Sequence, residues 1–475
     1  MKVLVVTGRK AYWIVKKAVG DDADVLLLDV DVASFVTPDL LRPISSLDYD
    51  LILVPGLSSG DFLRLEKDTG IKIRLGPKHA CDLDVVLSHA DIIEFSHSVP
   101  ACQLLSAKKH EEAMKKVNEL EFEAEYSFKL SNLKIGGKSR MKVMGEIVDA
   151  TRMQRDEILT VARDFIAQGA DIIDIGAAMD ATSLEVINAV EAVSSLDIPI
   201  SIDTANPEII LEAIEDIDMV LSLNGDSIKA VGRSIADRGI SAVIIPDSDL
   251  GSLQNNIRLA QEIGIDKIIA DPVLRPIGEG LIDSLVSYHR FRQASDLPLF
   301  FGVGNVTELI DADSIGINAI LAGIAMELGA SILFTPQYSA KTRGSIYELK
   351  TAAQMMILSK ERCTPPKDLG LDLLVIKEKR HRTSEIKINK SIKAKAHKSQ
   401  QDPKGSFSID IKDGKIVATQ GDTSIIGTSS KAVFDTISDL GLVSLIDHAA
   451  YLGRELMKAE LSLRFRRSYA QDDKF

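Results

Sequence analysis

Between Lys142 and Phe334, eight short apolar runs alternate with stretches whose apolar residues recur at helical spacing. The runs read MKVMGEIV, ADIIDIG, PISID, MVLSLN, SAVIIP, KIIAD, LFFGVGN and SILFTPQ. Each has the length of a strand, and each interval has room for a helix. Such alternation predicts an α/β protein with a parallel sheet, and eight repeats predict its closure into a central (β/α)8 TIM barrel. Seven of the runs end on Asp, Asn or Gln instead of on more hydrophobe. The carboxyl ends of barrel strands converge on one mouth, so Asp149, Asp174, Asp203, Asn224, Asp271, Asn305 and Gln337 are expected to meet there.

The flanks read differently. Residues 1–130 predict a small N-terminal α/β domain of Rossmann or flavodoxin type, with strands KVLVVTG, ADVLLLDV, YDLILVPG and DVVLSHA and a helix AYWIVKKAV. The turns TGRKAY, PGLSSGD and GPKHACDLD follow strands, where open α/β sheets place ligands. Arg9, Lys10, Ser58, Ser59, Lys78 and His79 are the candidate pocket residues there, against the reading of ordinary loop chemistry. Neither of the common nucleotide-binding glycine motifs occurs. A charged helical run, KKHEEAMKKVNEL, and a strand-like EFEAEYSFKL lead to a KIGGKSR turn, and the barrel is expected over residues 140–362. Residues 377–404 are Lys-rich and poor in large apolar side chains, as in a solvated linker or flexible loop, with an anion-binding arm as the alternative. Residues 405–475 predict a small C-terminal α+β domain with a hairpin at Asp413-Gly414 and two helices.

Composition removes several classes. Hydrophobic content of 45% and charged content of 26% are those of a soluble globular protein, and no apolar run reaches the length of a bilayer span. MKVLVVTGRK lacks a signal peptide's long apolar region, so a cytoplasmic protein without membrane insertion is expected. The net charge of -13 opposes general nucleic-acid binding. Cys81, Cys102 and Cys363 lie too far apart in sequence for a zinc ribbon or a redox pair.

One strand-end Asp is ordinarily a helix cap, and Asp203 before TANPEIILEAI fits that reading, while Asn224 in NGDS fits a turn residue. Asp174 lies inside an apolar strand, where an unpaired carboxylate costs roughly several kcal/mol. Recurrence at the same end of successive strands turns such positions into a candidate site. Carboxylates and amides together suit a flat polyamino heterocycle, whose guanidine-like donor pair a carboxylate accepts in bidentate fashion. After the eighth strand, Ser339, Lys341, Thr342 and Arg343 precede a helix, a place where barrels bind phosphate; a solvated loop is the competing reading.

IVDAT, GADIIDIG, PISIDT, LSLNGDS, IIADPVL and FGVGNVTE follow the order and spacing of the pterin-binding barrels. The stretch resembles dihydropteroate synthase and the methyltetrahydrofolate-dependent methyltransferases. The resemblance implies that Asp203, Asn224 and Asp271 hold the pterin's amino and lactam edge, with Asp174 in the same site. Asp149 stands where the synthases have Asn, and a carboxylate there implies a possible Mg2+ ligand. The synthase STRPG arginine is missing from DIGAAMDATS, and its SRK lysine from GVGNVT. GVGNVT and DPVLRP instead look like corrinoid-directed methyltransferases, in which the asparagine matched by Asn305 approaches pterin N5.

The stretch Gly421 to Asp472 is similar to the C-terminal part of the corrinoid-carrying A subunit of tetrahydromethanopterin methyltransferase. His448 within it reads as one helical histidine among apolar neighbours and is not assigned as a cobalt ligand. Taken whole, the chain resembles the archaeal-type dihydropteroate synthase-related proteins. That implies a transferase of folate or tetrahydromethanopterin biosynthesis, joining an activated hydroxymethyl-dihydropterin to an arylamine with release of diphosphate. Asp149 would hold magnesium, and Lys341 with Arg343 would neutralise the leaving group. The alternatives are methyl transfer from a methyl-tetrahydropterin to a corrinoid or thiol, with a corrinoid protein as partner, and a non-catalytic pterin-binding protein. A homodimer is also implied by the resemblance.

Overall fold

The computed structural model describes residues 1–42, 48–90, 93–376, 390–395 and 401–473; residues 377–389 and 396–400, most of the expected basic linker, lie outside the described residues. The chain opens on a parallel sheet of β1 (Val3–Thr7), β2 (Asp24–Leu27), β3 (Leu51–Val54) and β4 (Lys72–Leu75), in the order β2-β1-β3-β4. DVVLSHA, expected as a strand, is the helix Leu83–Leu87, and the fourth strand is KIRL. A short apolar run fits either state. Ile73 and Leu75 decide it by pairing along β3 and burying their side chains, while Leu83 packs from a helix onto Val3, Val5 and Val15.

The helix Ala101–Glu123 absorbs the first part of the strand-like EFEAEYSFKL, leaving a hairpin of β5 (Phe128–Leu130) and β6 (Leu133–Ile135). Eight parallel strands then close the expected barrel: β7 (Lys142–Ile147), β8 (Ile172–Gly176), β9 (Ile200–Asp203), β10 (Met219–Leu223), β11 (Ser241–Ile244), β12 (Ile268–Ala270), β13 (Leu299–Gly302) and β14 (Ala330–Thr335). β14 pairs back onto β7 and completes the ring. Outward-facing Val143, Ile173, Val220, Ala242 and Leu333 pack on the surrounding helices. Inward-facing Met144, Ile172, Met219, Leu221, Val243, Ile269, Phe300 and Ile332 form a separate core, sealed below by Leu130 and Ile135 of the hairpin. The lower half of the barrel is therefore filled and dry. Two residues further along the same inward lines stand Glu146, Asp174 and Asp271.

The C-terminal domain is an antiparallel sheet of β15 (Ser408–Lys412), β16 (Lys415–Gln420) and β17 (Thr423–Gly427) under helices Ser430–Asp439 and Ile446–Arg464. Its first turn is at Asp413-Gly414, both with positive φ, as a tight hairpin requires. Among the described residues no helix is long and apolar enough to cross a membrane.

At the closed end, Asp171 ties the first strand to the last helix. Its carboxylate accepts two bonds from the Arg140 guanidinium at 2.8 and 3.1 Å, one from Lys350 Nζ at 2.7 Å and one from the Val143 amide at 2.9 Å. Burial alone would push this carboxyl up, but Arg140 and Lys350 outweigh it and hold it well below the usual range. Removing one member of a buried ionic cluster leaves the others uncompensated. Asp171→Asn is therefore expected to lower unfolding free energy by roughly 3–5 kcal/mol, measured by urea denaturation near pH 7. A carboxylate with a depressed native pKa stabilises above its unfolded value of about 4 and loses that contribution as pH falls. Wild type and variant should consequently converge in strongly acidic buffer.

Candidate functional site

The mouth residues come together because strand register sets them side by side. Glu146 on β7 pairs with Asp174 on β8, Asp174 with Ser201 on β9, and Gly176 with Asp203. All of these point inward. Gly176 has a packing reason as well: a Cβ there would lie 2.6 Å from Glu146 Oε1, so the glycine makes room for the carboxyl. An open cleft of about 470 Å³ is lined by Glu146, Gly176, Met179, Asp203, Asn206 and Ile209, among others.

Asp174 is fully buried; its Oδ1 accepts a 2.5 Å hydrogen bond from Ser201 Oγ, while Oδ2 has no partner among the described residues. Burial, then the Asp203 and Glu146 charges, push its carboxyl far up. Glu146 is raised to about 7 by burial, with Asp203 and Asp149 adding to the effect. Asp203 is raised by burial. Asp271, on the far side, is pushed up by burial to about 6, although it accepts bonds from Tyr288 Oη at 2.6 Å and the Val273 amide at 2.8 Å. Val273 itself has φ of 68°, a strained conformation for a β-branched residue that carries its amide to Asp271. Carboxyls that hold protons near neutrality each offer one donor and one acceptor.

Glu146 escaped the sequence reading, which looked for polar residues at strand ends. Its signal was present in MKVMGEIV: a charged residue inside an apolar run, at an inward position.

The other expected residues divide. Asn305 donates from Nδ2 to the Leu274 carbonyl at 2.9 Å, in the loop that follows Asp271, so it belongs to the same rim. Asn224 caps the helix Gly225–Arg238, its Oδ1 accepting from the Asp226 and Ser227 amides, where the local alternative weighed for it was a turn residue. Gln337 Oε1 accepts from the Ile346 amide at 3.1 Å. Asp149 stands in the turn after β7 in a left-handed conformation, with the Arg152 guanidinium 3.8 Å away. It offers a magnesium ion one half-exposed carboxylate, and among the described residues no three ligating side chains converge as a metal site. The residues present do not fit a protein-held cation.

In the expected phosphate cradle, several donors are engaged within the chain. Glu308 accepts the Tyr338 amide at 2.9 Å, the Ser339 amide at 3.2 Å and Thr342 Oγ1 at 2.6 Å, so a carboxylate of the chain already occupies these donors. Lys341 pairs with Asp311 at 2.9 Å. Arg343 lines a second cleft together with Ser339 and Gln337, beside Asp164, Gln168 and Arg466 of the C-terminal domain. The sequence could not show this, because Glu308 lies 30 residues before Tyr338. His448 is held by Asp402, with Nδ1 3.0 Å from the carboxylate, and does not stand among apolar neighbours alone.

Across nearly its whole length the chain is 38% identical to the uncharacterized protein MJ0107 of Methanocaldococcus jannaschii, covering 99% of this chain and 98% of that one. The chain belongs to the family of that protein. Residues 141–296 match the family described as CO dehydrogenase/acetyl-CoA synthase delta subunit, and residues 401–472 match the one described as PterinBD-DUF4346. A further relative is the acetyl-CoA decarbonylase/synthase complex subunit gamma 2 of Methanosarcina thermophila, 29% identical over 30% of each chain. Solved structures with a similar barrel include dihydropteroate synthases of Yersinia pestis (21% identity, TM-score 0.39, 47% of this chain and 95% of that chain) and Thermus thermophilus (22%, 0.38, 46% and 93%). The resemblance to dihydropteroate synthase-related proteins expected from the strand-end motifs is borne out.

The clustered carboxyls have a consequence for stability. A carboxyl whose native pKa lies above its unfolded value of about 4 stabilises fully at lower pH, and that contribution is lost as pH rises through the native pKa. For Glu146 the window runs from about 4.5 to about 7. The ligand-free chain should lose stability between pH 5 and 8, and Glu146→Gln should recover roughly 1–3 kcal/mol of it at pH 8. Thermal unfolding in a buffer series reads this directly; parallel wild-type and variant curves would refute it.

Proposed function

We propose that the barrel mouth binds a reduced pterin and that the protein transfers the methyl group of a methyl-tetrahydropterin to a soft nucleophile, a thiolate or reduced corrinoid. The observation that carries this reading is the set of proton-holding carboxyls at the barrel mouth, Glu146 and Asp203 lining the cleft, Asp174 buried behind them and Asp271 on the far side. A pterin's edge alternates ring N–H and amino donors with carbonyl and imine acceptors. A neutral carboxyl matches a donor–acceptor pair, and an ionised one takes the guanidine-like pair. Methyl transfer from nitrogen requires the departing ring nitrogen to be protonated, and this site holds protons. Asn305, tied to the loop after Asp271, is an amide on the same rim that could accept or donate at the ring. The PterinBD description of the C-terminal match and the acetyl-CoA decarbonylase/synthase name of the M. thermophila relative agree with one-carbon chemistry on a pterin.

Synthase chemistry is the second reading, favoured by Asp203, Asn224 and Asp271 at the strand ends of the synthase motifs. Against it stands the eighth loop, whose donors serve Glu308 instead of a diphosphate. Incubation with hydroxymethyl-dihydropterin diphosphate and an arylamine separates the two: release of diphosphate at a catalytic rate would establish the synthase.

Binding is tested with 6,7-dimethyltetrahydropterin, which carries the ring common to folate and methanopterin types. Asp203→Asn and Asp271→Asn are each expected to weaken it about 10–100-fold, the loss of one charge-assisted bond in a buried site. Calorimetric titration measures this. No detectable binding by the wild-type chain would sink the pterin reading.

A further inference from the structure

We propose that Glu146 is the catalytic acid of this site, delivering the proton to the ring nitrogen that gives up its substituent. This rests on the methyl-transfer reading and names a residue for it. Three features of the fold single out Glu146 from the other carboxyls. It lines the open cleft, which among the mouth carboxyls only Asp203 shares, whereas Asp174 is sealed behind it. Gly176 leaves its carboxyl room, so its Oε1 is placed by packing against the neighbouring strand. Behind it Asp174 Oδ2 is fully buried and without a partner, a polar atom within the same carboxyl cluster.

The charges around Glu146 all act in one direction. Asp203 on β9, Asp149 in the turn after β7 and Asp174 on β8 disfavour a second anion, and the Arg152 guanidinium is held by Asp149 and Asp180. Burial and these neighbours keep Glu146 protonated up to about pH 7, the property an acid needs to act in neutral solution. Asp271 is committed to Tyr288 and Val273, and Asp174 to Ser201, so their hydrogen-bonding capacity is partly used.

The step balances within the site. The Glu146 O–H bond breaks, an N–H bond forms at the pterin N5, and Glu146 is left as a carboxylate beside the new cation. The N5–CH3 bond then breaks toward the thiolate or reduced corrinoid, which forms the new bond to carbon with its own electron pair. The old pair stays on N5.

The test reads the proton, not the turnover. The ultraviolet spectrum of 5-methyl-6,7-dimethyltetrahydropterin changes when N5 is protonated. Bound to the wild-type chain it should remain protonated at least one pH unit above the free compound. Glu146→Gln should still bind the compound, about tenfold more weakly at neutral pH because the bound cation loses its carboxylate, and should lose that shift. Glu146→Asp, with the acid retained on a shorter arm, should keep part of it and serves if the Gln variant does not fold. Normal binding with the shift intact in both variants overturns the role of Glu146 while leaving the pterin reading standing. Failure of the wild-type chain to bind overturns both.

Discussion

Carboxyl groups brought together with no neutralising cation among the described residues are the constraint from which the chemistry of this protein follows. A closed parallel barrel gives every inward side chain a fixed level, and here neighbouring levels at the mouth receive Glu146, Asp174, Asp203 and Asp271 from four strands. In that enclosure two anions side by side cost more than two neutral acids. The site therefore stores protons when empty and can give or release them to a ligand rich in nitrogen. Its geometry and its acidity are one property of the fold.

The opposite end of the same barrel solves the same problem the other way. Asp171 lies three residues before Asp174, yet it is held ionised by Arg140 and Lys350 while Asp174 is held neutral. Stability and reactivity are thus segregated along the barrel axis. Cations are spent at the closed end, where they join the first strand to the last helix. They are withheld from the mouth, where a fixed counter-ion would remove the protons that the site needs.

The eighth loop shows how a plausible motif can be committed elsewhere. Ser339, Lys341, Thr342 and Arg343 have the residue types of an anion site, and Glu308 is the anion that Ser339 and Thr342 hold. Arg343 lines the second cleft, where Arg466 of the C-terminal domain approaches Gln168 at 3.5 Å. The loop functions as a brace for the rim and as part of the seam between barrel and C-terminal domain.

The barrel was legible from the eight apolar runs, because strand length and helical spacing are local properties of the chain. So were the strand-end acids, since a carboxylate closing an apolar run breaks a pattern that burial otherwise enforces. The Asp413-Gly414 turn was readable for the same reason. DVVLSHA was not, because four apolar residues fit a helix or a strand until their neighbours are known. Nor was the role of Glu146, the cap formed by Asn224, or the capture of the eighth loop by Glu308. The amino-acid sequence by itself determined which side chains sit at the ends of the strands. Only the tertiary structure decided which of them share a layer, which are already bonded and which hold protons, because pairing, burial and charge crowding are set by neighbours distant in the chain.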